Sequence, residues 1–267
     1  MQFDTHVHSL ASPDSEMRPA DAIKTLNDQG LGVIFTEHVD YVTPVEGRDF
    51  SAADAPKSRE DFIADFTRYP CEYLDFRCDT VGLGLEIGLN DAFLPLNRQT
   101  AAGGDWDFII GSVHHADGYG LERGEYYREV ADPYLRLLHY TREMAERSDF
   151  FDALGHIDYI SRYSPFCEKN VLYENYADAY ESLFRVLVKN EKILELNTAR
   201  LGDTAAERNL YQIYRQYRQA GGRYVTLGSD AHEVGDLARN FDRALRMARD
   251  VELTPVYFKQ RKMIFCK

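Results

Sequence analysis

The chain has 267 residues, 44% of them hydrophobic, and a formal net charge of -13. This length and hydrophobic content can form the core of one α/β barrel, so we expect a single domain over residues 1–267. No apolar run reaches the ~18 residues of a membrane span. The acidic balance argues against a nucleic-acid partner, because binding to phosphate backbones depends on clustered Lys and Arg.

The start of the chain and its cysteines predict a cytoplasmic protein. Met1-Gln2-Phe3-Asp4 leads directly into a motif and leaves no room for a signal peptide. The four cysteines contain no C-x-x-C pair, and we expect all of them to be reduced thiols.

Strand-like and helix-like segments alternate along the chain. The predicted strands are 2–8, 32–38, 80–87, 107–114, 151–157, 192–198 and 223–230. The predicted helices are 19–27, 58–67, 133–147, 173–190, 204–220 and 234–250. The segments 40–60, 88–105 and 116–130 are predicted to be loops over the site, where we expect the groups that recognise the organic part of a substrate. Such alternation predicts parallel strands with right-handed crossovers, and hence an α/β fold.

Seven of the eight histidines lie at or just past the C-terminal ends of these apolar runs. They are His6, His8, His38, His114, His115, His156 and His232, and they are accompanied by the carboxylates Asp14, Glu86 and Asp230. In a barrel, the C-terminal strand ends share one pocket. In an open sheet, such residues would cluster at one switch point instead. The pattern therefore favours a closed or nearly closed barrel with a metal site. The eighth histidine, His139, lies in a helical pattern and is expected to be structural.

Residue type and spacing indicate the chemistry of the pocket. His6 and His8 are two residues apart, so on a strand both face the same side and can bind one metal ion. The two oxygens of Glu86 can bridge two ions. Neutral imidazoles and carboxylates suit Zn, Fe or Mn. Adjacent ions sharing a hydroxide would provide a nucleophile at neutral pH, which predicts hydrolysis of a phosphate ester.

Three further residues are expected to support the ligands or to contact the substrate. They are His115, Asp40 and Asp158. His115 directly follows a ligand candidate and points elsewhere on a regular strand, so it is not expected to bind metal.

Six motifs, in order, resemble those of the polymerase and histidinol phosphatase (PHP) superfamily. They are Asp4-Thr5-His6-Val7-His8-Ser9, Thr36-Glu37-His38, Gly84-Leu85-Glu86, Ser112-Val113-His114, Gly155-His156-Ile157-Asp158 and Ser229-Asp230-Ala231-His232. The resemblance spans nearly the whole chain. The chain length and the wording of several motifs are similar to those of the stand-alone histidinol-phosphate phosphatases of histidine biosynthesis.

The resemblance implies a distorted (β/α)7 TIM-like barrel with three divalent metal ions at the C-terminal ends of the strands. The first ion would be bound by His6, His8, Glu86 and Asp230, the second by Glu86, His114 and His156, and the third by Asp14, His38 and His232. Some relatives have His where this chain has Asp14, so the chain departs from their pattern at the third ion.

Arg162 and Arg200 follow the fifth and sixth predicted strands, on loops that face the same pocket. A guanidinium group matches the geometry of phosphate oxygens. By the resemblance, these two arginines would hold the phosphate of the substrate.

Three functions are compatible with these residues. The favoured one is hydrolysis of L-histidinol phosphate to L-histidinol and phosphate by attack of a metal-bound hydroxide. The alternative is a PHP phosphoesterase acting on nucleotides or other small phosphate esters. A non-catalytic, metal-stabilised module is the third, although the motif set is intact.

Overall fold

The computed structural model describes residues 1–41, 64, 69 and 71–266. The strands are β1 (Phe3–Val7), β2 (Gly32–Val39), β3 (Val81–Gly88), β4 (Phe108–Ser112), β5 (His115–Ala116), β6 (Tyr119–Gly120), β7 (Ala153–Leu154), β8 (Ile193–Asn197), β9 (Tyr224–Gly228), β10 (Thr254–Lys259) and β11 (Lys262–Phe265). The α-helices are α1 (Pro19–Asp28), α2 (Leu94–Ala102), α3 (Gly124–Glu129), α4 (Pro133–Arg147), α5 (Ala177–Lys189), α6 (Thr204–Gln219) and α7 (Phe241–Asp250).

Seven parallel strands form a ring that places their C-terminal ends together. Strands β1, β2, β3, β4, β7, β8 and β9 are neighbours in this order, and each pair is parallel. A parallel bridge between Val7 and Ala231 joins the end of β1 to the chain just after β9. The amide of Asp230 donates to the carbonyl of His6 over 2.8 Å, and the amide of His8 donates to the carbonyl of Ala231 over 2.9 Å. These bonds close the ring on the side of the predicted metal site.

The opposite end of the barrel is covered by the antiparallel hairpin of β10 and β11, which sequence reasoning did not predict. Strand β10 continues the sheet beside β9. Its Tyr257 ring stacks on Phe3 with a centroid distance of 4.0 Å, and its Phe258 ring stacks on Phe108 at 5.1 Å. This hairpin seals a small apolar core at the N-terminal strand ends, separate from the main core.

Most predicted elements lie close to those observed, but several bounds were wrong. The predicted strand 151–157 contains only β7, because the chain leaves the sheet at Gly155 to place His156. The predicted helices 173–190 and 234–250 each begin with a separate 3-10 turn, so that α5 and α7 start only at Ala177 and Phe241. The predicted helix 58–67 and most of the predicted loop 40–60 lie outside the described residues.

The predicted loops 88–105 and 116–130 contain regular structure. The first holds a 3-10 turn and helix α2, whose first turn contains Pro95 and whose end is followed by Gly103. Pro and Gly at these two positions are helix-boundary signals, and they were misread as signs of a loop. The second holds the β5–β6 hairpin and helix α3. Among the described helices, none has the length and apolar character needed to cross a membrane.

Candidate metal centre

The ring of strand ends gathers six histidines and three carboxylates at one end of the barrel. These are His6, His8, His38, His114, His156 and His232, with Asp14, Glu86 and Asp230. All nine were predicted as ligands from the sequence. Each lies near the C-terminal end of a strand, except Asp14, which lies on the loop between β1 and α1.

One oxygen of Glu86 lies at the centre of a first group of imidazoles. Glu86 is fully buried on β3, and its Oε2 atom lies 3.3 Å from His6 Nε2, 3.4 Å from His8 Nε2 and 3.0 Å from His38 Nδ1. Asp230 Oδ1 approaches the same two Nε2 atoms, at 3.6 Å from His6 and 3.5 Å from His8. His6, His8, Glu86 and Asp230 thus surround one point, as expected for the first ion.

The other oxygen of Glu86 faces a second group. Glu86 Oε1 lies 2.8 Å from His156 Nε2 and 3.3 Å from His114 Nε2. The two Nε2 atoms are 3.2 Å apart. One carboxylate therefore faces both groups, with a different oxygen toward each.

A third group lies nearest to solvent. Asp14 Oδ2 lies 3.3 Å from His38 Nε2 and 3.2 Å from His232 Nε2. A ring nitrogen of His8 lies within 4.8 Å of ring nitrogens of His38 and His232. His8 therefore lies between the first and third groups. His38 likewise faces Glu86 with one nitrogen and Asp14 with the other.

The donor atoms of the first group fit a divalent cation. His6 Nε2, His8 Nε2, His38 Nδ1 and Glu86 Oε2 are buried and have no hydrogen-bond partner among the described residues. Burying polar atoms without partners is costly, and a cation beside Glu86 Oε2 would satisfy this oxygen and the Nε2 atoms of His6 and His8. Burial favours a neutral Glu86, but His6, His114 and His38 outweigh it and hold the pKa of this carboxyl well below its usual value. The carboxylate is therefore ionised, as a metal ligand must be.

Two carboxylates outside the ligand set orient imidazoles through hydrogen bonds to Nδ1, the nitrogen that faces away from Glu86. His114 Nδ1 donates to Asp40 over 2.9 Å, so its Nε2 atom faces Glu86. His6 Nδ1 donates to Glu195 over 2.6 Å in the same way. Sequence reasoning had expected support from Asp40 but had assigned no role to Glu195. The only signal was that Glu195 lies two residues before Asn197 on a strand facing the pocket.

A hydroxyl links a further carboxylate to the centre. Ser12 donates to Glu37 over 2.6 Å, and its oxygen lies 3.3 Å from His8 Nδ1. Ser12 also accepts from the amide of His38 over 3.0 Å. Glu37 thereby supports two ligand-bearing segments through Ser12, without facing the ions itself.

The two arginines are both engaged by carboxylates, and Arg162 contacts the centre through Asp230. Arg162 Nη2 donates to Asp230 Oδ2 over 2.5 Å. Arg200 Nη1 donates to Asp158 over 2.6 Å, and its Nη2 donates to the side chain of Asn170 over 2.7 Å. Asp158 therefore contacts Arg200. Asn170 is a second partner of Arg200, and the sequence did not predict it.

Two other histidines stand apart from the ligand groups. His115 belongs to none of the described clusters of metal-ligating atoms, and burial lowers its pKa although Asp40 and Glu122 oppose this. We expected His115 to point away from the metal ligands because of regular strand alternation. The structure gives a different reason, since β4 ends at Ser112 and His115 begins a separate hairpin. His139 lies exposed on α4.

Known proteins similar to this chain share both its motifs and its fold. A family model described as the PHP domain matches residues 4–199. A "Probable histidinol-phosphatase" of Clostridium acetobutylicum is 34% identical over 265 residues, covering 98% of this chain and 99% of that one. A "Histidinol-phosphatase" of Lactococcus lactis subsp. lactis is 29% identical over 238 residues, covering 86% and 84%.

The fold also matches a solved structure. This is a Lactococcus lactis histidinol phosphate phosphatase complexed with zinc, L-histidinol and phosphate, with a TM-score of 0.84, 24% identity and 98% of each chain covered. The predicted α/β barrel is thus confirmed. From the motifs along its strand ends and the family model that matches residues 4–199, we conclude that this chain belongs to the PHP domain family.

Proposed function

We infer that this chain is a metal-dependent phosphomonoesterase that hydrolyses L-histidinol phosphate to L-histidinol and phosphate. The observation that carries this inference is the full-length similarity to proteins named histidinol-phosphatase, at 34% identity for the Clostridium acetobutylicum relative. Fold alone would not identify a function, since one fold serves many reactions. Here the similarity extends over a chain whose metal-ligating residues converge in one pocket.

We propose that the pocket holds three divalent ions, Zn, Fe or Mn. The first would be bound by His6, His8, Glu86 and Asp230, the second by Glu86, His114 and His156, and the third by Asp14, His38 and His232. The three groups of donor atoms described above support this number. Such ions supply a lowered pKa for bound water and positive charge for phosphoryl oxygens.

Arg162 and Arg200 are proposed to bind the substrate phosphate. Arg162 uses one nitrogen on Asp230, so its remaining donors are available to phosphate oxygens at the edge of the centre. Arg200 is held by Asp158 and Asn170, which fix the direction of its guanidinium group. Two arginines on separate segments would orient the phosphoryl group by their charge-assisted hydrogen bonds.

A comparison of substrates tests the proposed function. Phosphate release is measured with L-histidinol phosphate, nucleotides and p-nitrophenyl phosphate, in the presence of Mn, Fe or Zn. We expect much faster turnover of L-histidinol phosphate with at least one metal. Equal turnover of all three substrates would favour a broad phosphoesterase. The absence of both bound metal and metal-dependent activity would favour a structural module.

A further inference from the structure

Glu195 lies behind the metal centre and contacts two of its ligand-bearing segments. The side chain is fully buried on β8. Its Oε1 atom accepts a hydrogen bond from His6 Nδ1 over 2.6 Å, and its Oε2 atom accepts one from the backbone amide of His156 over 2.7 Å. These two histidines belong to different groups, one on each side of Glu86.

The bond to His6 decides which imidazole nitrogen is free. Because a carboxylate only accepts, His6 keeps a proton on Nδ1, and Nε2, which faces Glu86 and Asp230, is the nitrogen that would lose its proton to bind metal. The bond to the His156 amide holds the chain where it leaves β7. This backbone bond matters because the Nδ1 atom of His156 has no hydrogen-bond partner among the described residues.

The space for Glu195 is provided by a glycine on the neighbouring strand. A Cβ atom built on Gly228 would lie 2.1 Å from Glu195 Oε1 and 2.5 Å from His6 Cβ. Gly228 does not adopt a left-handed backbone conformation, so the need for glycine at this position is steric. Glu195 on β8 and the small size of Gly228 on β9 therefore both serve the hydrogen bond between Glu195 and His6.

We propose that Glu195 is a positioning residue that couples the first and second ion sites, holding His6 in its metal-binding tautomer and His156 in its metal-binding position. This proposal rests on the metal-dependent function inferred above. It adds to that function a residue outside the ligand set, one that acts through two ligands and does not touch substrate.

The test is Glu195→Gln, which keeps the size of the side chain. The amide of His156 can only donate, so the glutamine oxygen must face it and the glutamine NH2 group must face His6. His6 Nδ1 must then accept, and its proton moves to Nε2, the nitrogen needed by the metal. We expect metal affinity, measured by chelator competition, to fall by about 10–100-fold. We also expect fewer ions to be retained after dialysis, with loss beginning at the first site.

Thermal unfolding with and without metal separates this role from a merely structural one. In Glu195→Gln, the Tm increase caused by metal should shrink relative to that of the wild type. The matched control is Asp152→Asn, a carboxylate at the opposite end of the barrel that accepts from Arg261 and from the Ile109 amide. This control should lower the metal-free and metal-bound Tm equally and leave metal affinity unchanged.

Gly228→Ala provides a second variant in case Glu195→Gln does not fold. It retains every charge but forces Glu195 and His6 apart, so metal affinity should again fall. Unchanged affinity and stoichiometry in either folded variant would overturn the proposal. If the wild type itself bound no metal, the proposed function would be wrong instead.

Discussion

At the scale of single residues, the carboxylates of the centre set the charge of its imidazoles. Burial alone would lower the pKa of His6, but Glu195, Glu86 and Asp230 raise it well above its usual value. The pKa of His38 is raised well above its usual value, since Glu86 and Asp14 outweigh burial. The opposite holds for His8, whose pKa burial lowers to about 3 with help from His38 and His232. In the metal-free chain at neutral pH, His8 is therefore uncharged, while the imidazoles of His6 and His38 are positively charged.

This difference predicts that metal binding releases protons. At neutral pH, His6 and His38 must each lose a proton to act as ligands, so apparent metal affinity should fall as the pH decreases. Each displaced proton contributes about a tenfold change in affinity per pH unit. Calorimetric titration with Zn in buffers of different ionisation enthalpy measures the number of protons released. Binding without proton release at pH 7 would contradict the prediction.

A second prediction at this scale concerns Arg162. Replacing it by alanine would remove the charge-assisted hydrogen bonds that we propose it makes to the phosphate, each of which is worth about 1.5–3 kcal/mol. For Arg162→Ala we expect kcat/KM for L-histidinol phosphate to fall by about 10–100-fold. Because Arg162 also holds Asp230, the metal content is measured in parallel. Arg246→Ala, an exposed arginine on α7, is the control and should retain full activity. Equal activity of the two variants would exclude Arg162 from phosphate binding.

At the scale of elements, the β10–β11 hairpin supports the barrel at the end away from the centre. Its turn residues Gln260 and Arg261 both have positive φ, at 52° and 60°, as a two-residue hairpin turn requires. Arg261 donates to both oxygens of Asp152 and to the carbonyl of Phe150. The Gln260 amide donates to Asp107 over 2.9 Å. The turn thus ties the hairpin to the starts of β4 and β7.

These contacts predict that Arg261→Ala lowers stability without changing the metal centre. Because the arginine is partly exposed, we expect the free energy of unfolding to fall by only about 1–2 kcal/mol. Urea unfolding measures this change, and metal content and kcat should remain those of the wild type. The control is Lys262→Ala, an exposed neighbour on β11, for which we expect almost no change. A loss of metal in Arg261→Ala would show that the two ends of the barrel are coupled.

At the scale of the whole molecule, the centre links strands that are far apart in sequence. Its proposed ligands other than Asp14 lie near the ends of β1, β2, β3, β4, β7 and β9, and the backbone bonds that join the end of β1 to the chain after β9 lie beside it. Bound ions would therefore brace the barrel at its point of closure. Without them, the negative charges of Glu86, Asp230 and Asp14 are offset by protonated histidines and by Arg162.

Metal removal should therefore destabilise the whole barrel. At a free metal concentration about 1,000 times the Kd, binding stabilises the fold by about 4 kcal/mol. For a chain of this size, this corresponds to about 8–16 °C in Tm. Thermal unfolding before and after treatment with a chelator measures the shift, and added Zn should restore the Tm. In Glu86→Gln, which lacks the bridging carboxylate, the chelator should have little effect. An unchanged wild-type Tm would argue against ions bracing the closure.

Residue type and periodicity were sufficient to predict the alternation of strands and helices and a barrel whose C-terminal strand ends carry histidines and carboxylates, and the family resemblance implied how these would be shared among ions. These features are local, since strand ends and helix boundaries are marked by nearby residues. The short strand β7 and helix α2 were harder to predict from the sequence. Only two residues of the predicted strand 151–157 pair in the sheet, and Pro95 and Gly103 mark loops as readily as helix ends.

The sequence by itself therefore determined which metal-ligating side chains lie together and at which end of the barrel they lie. Only the tertiary structure decided how they pair. Glu195 reaches His6 across 189 positions of the chain and His156 across 39, and Arg162 reaches Asp230 across 68. No local pattern encodes these contacts, because they depend on which strands become neighbours when the ring closes. The same closure turns scattered strand-end histidines into one metal centre.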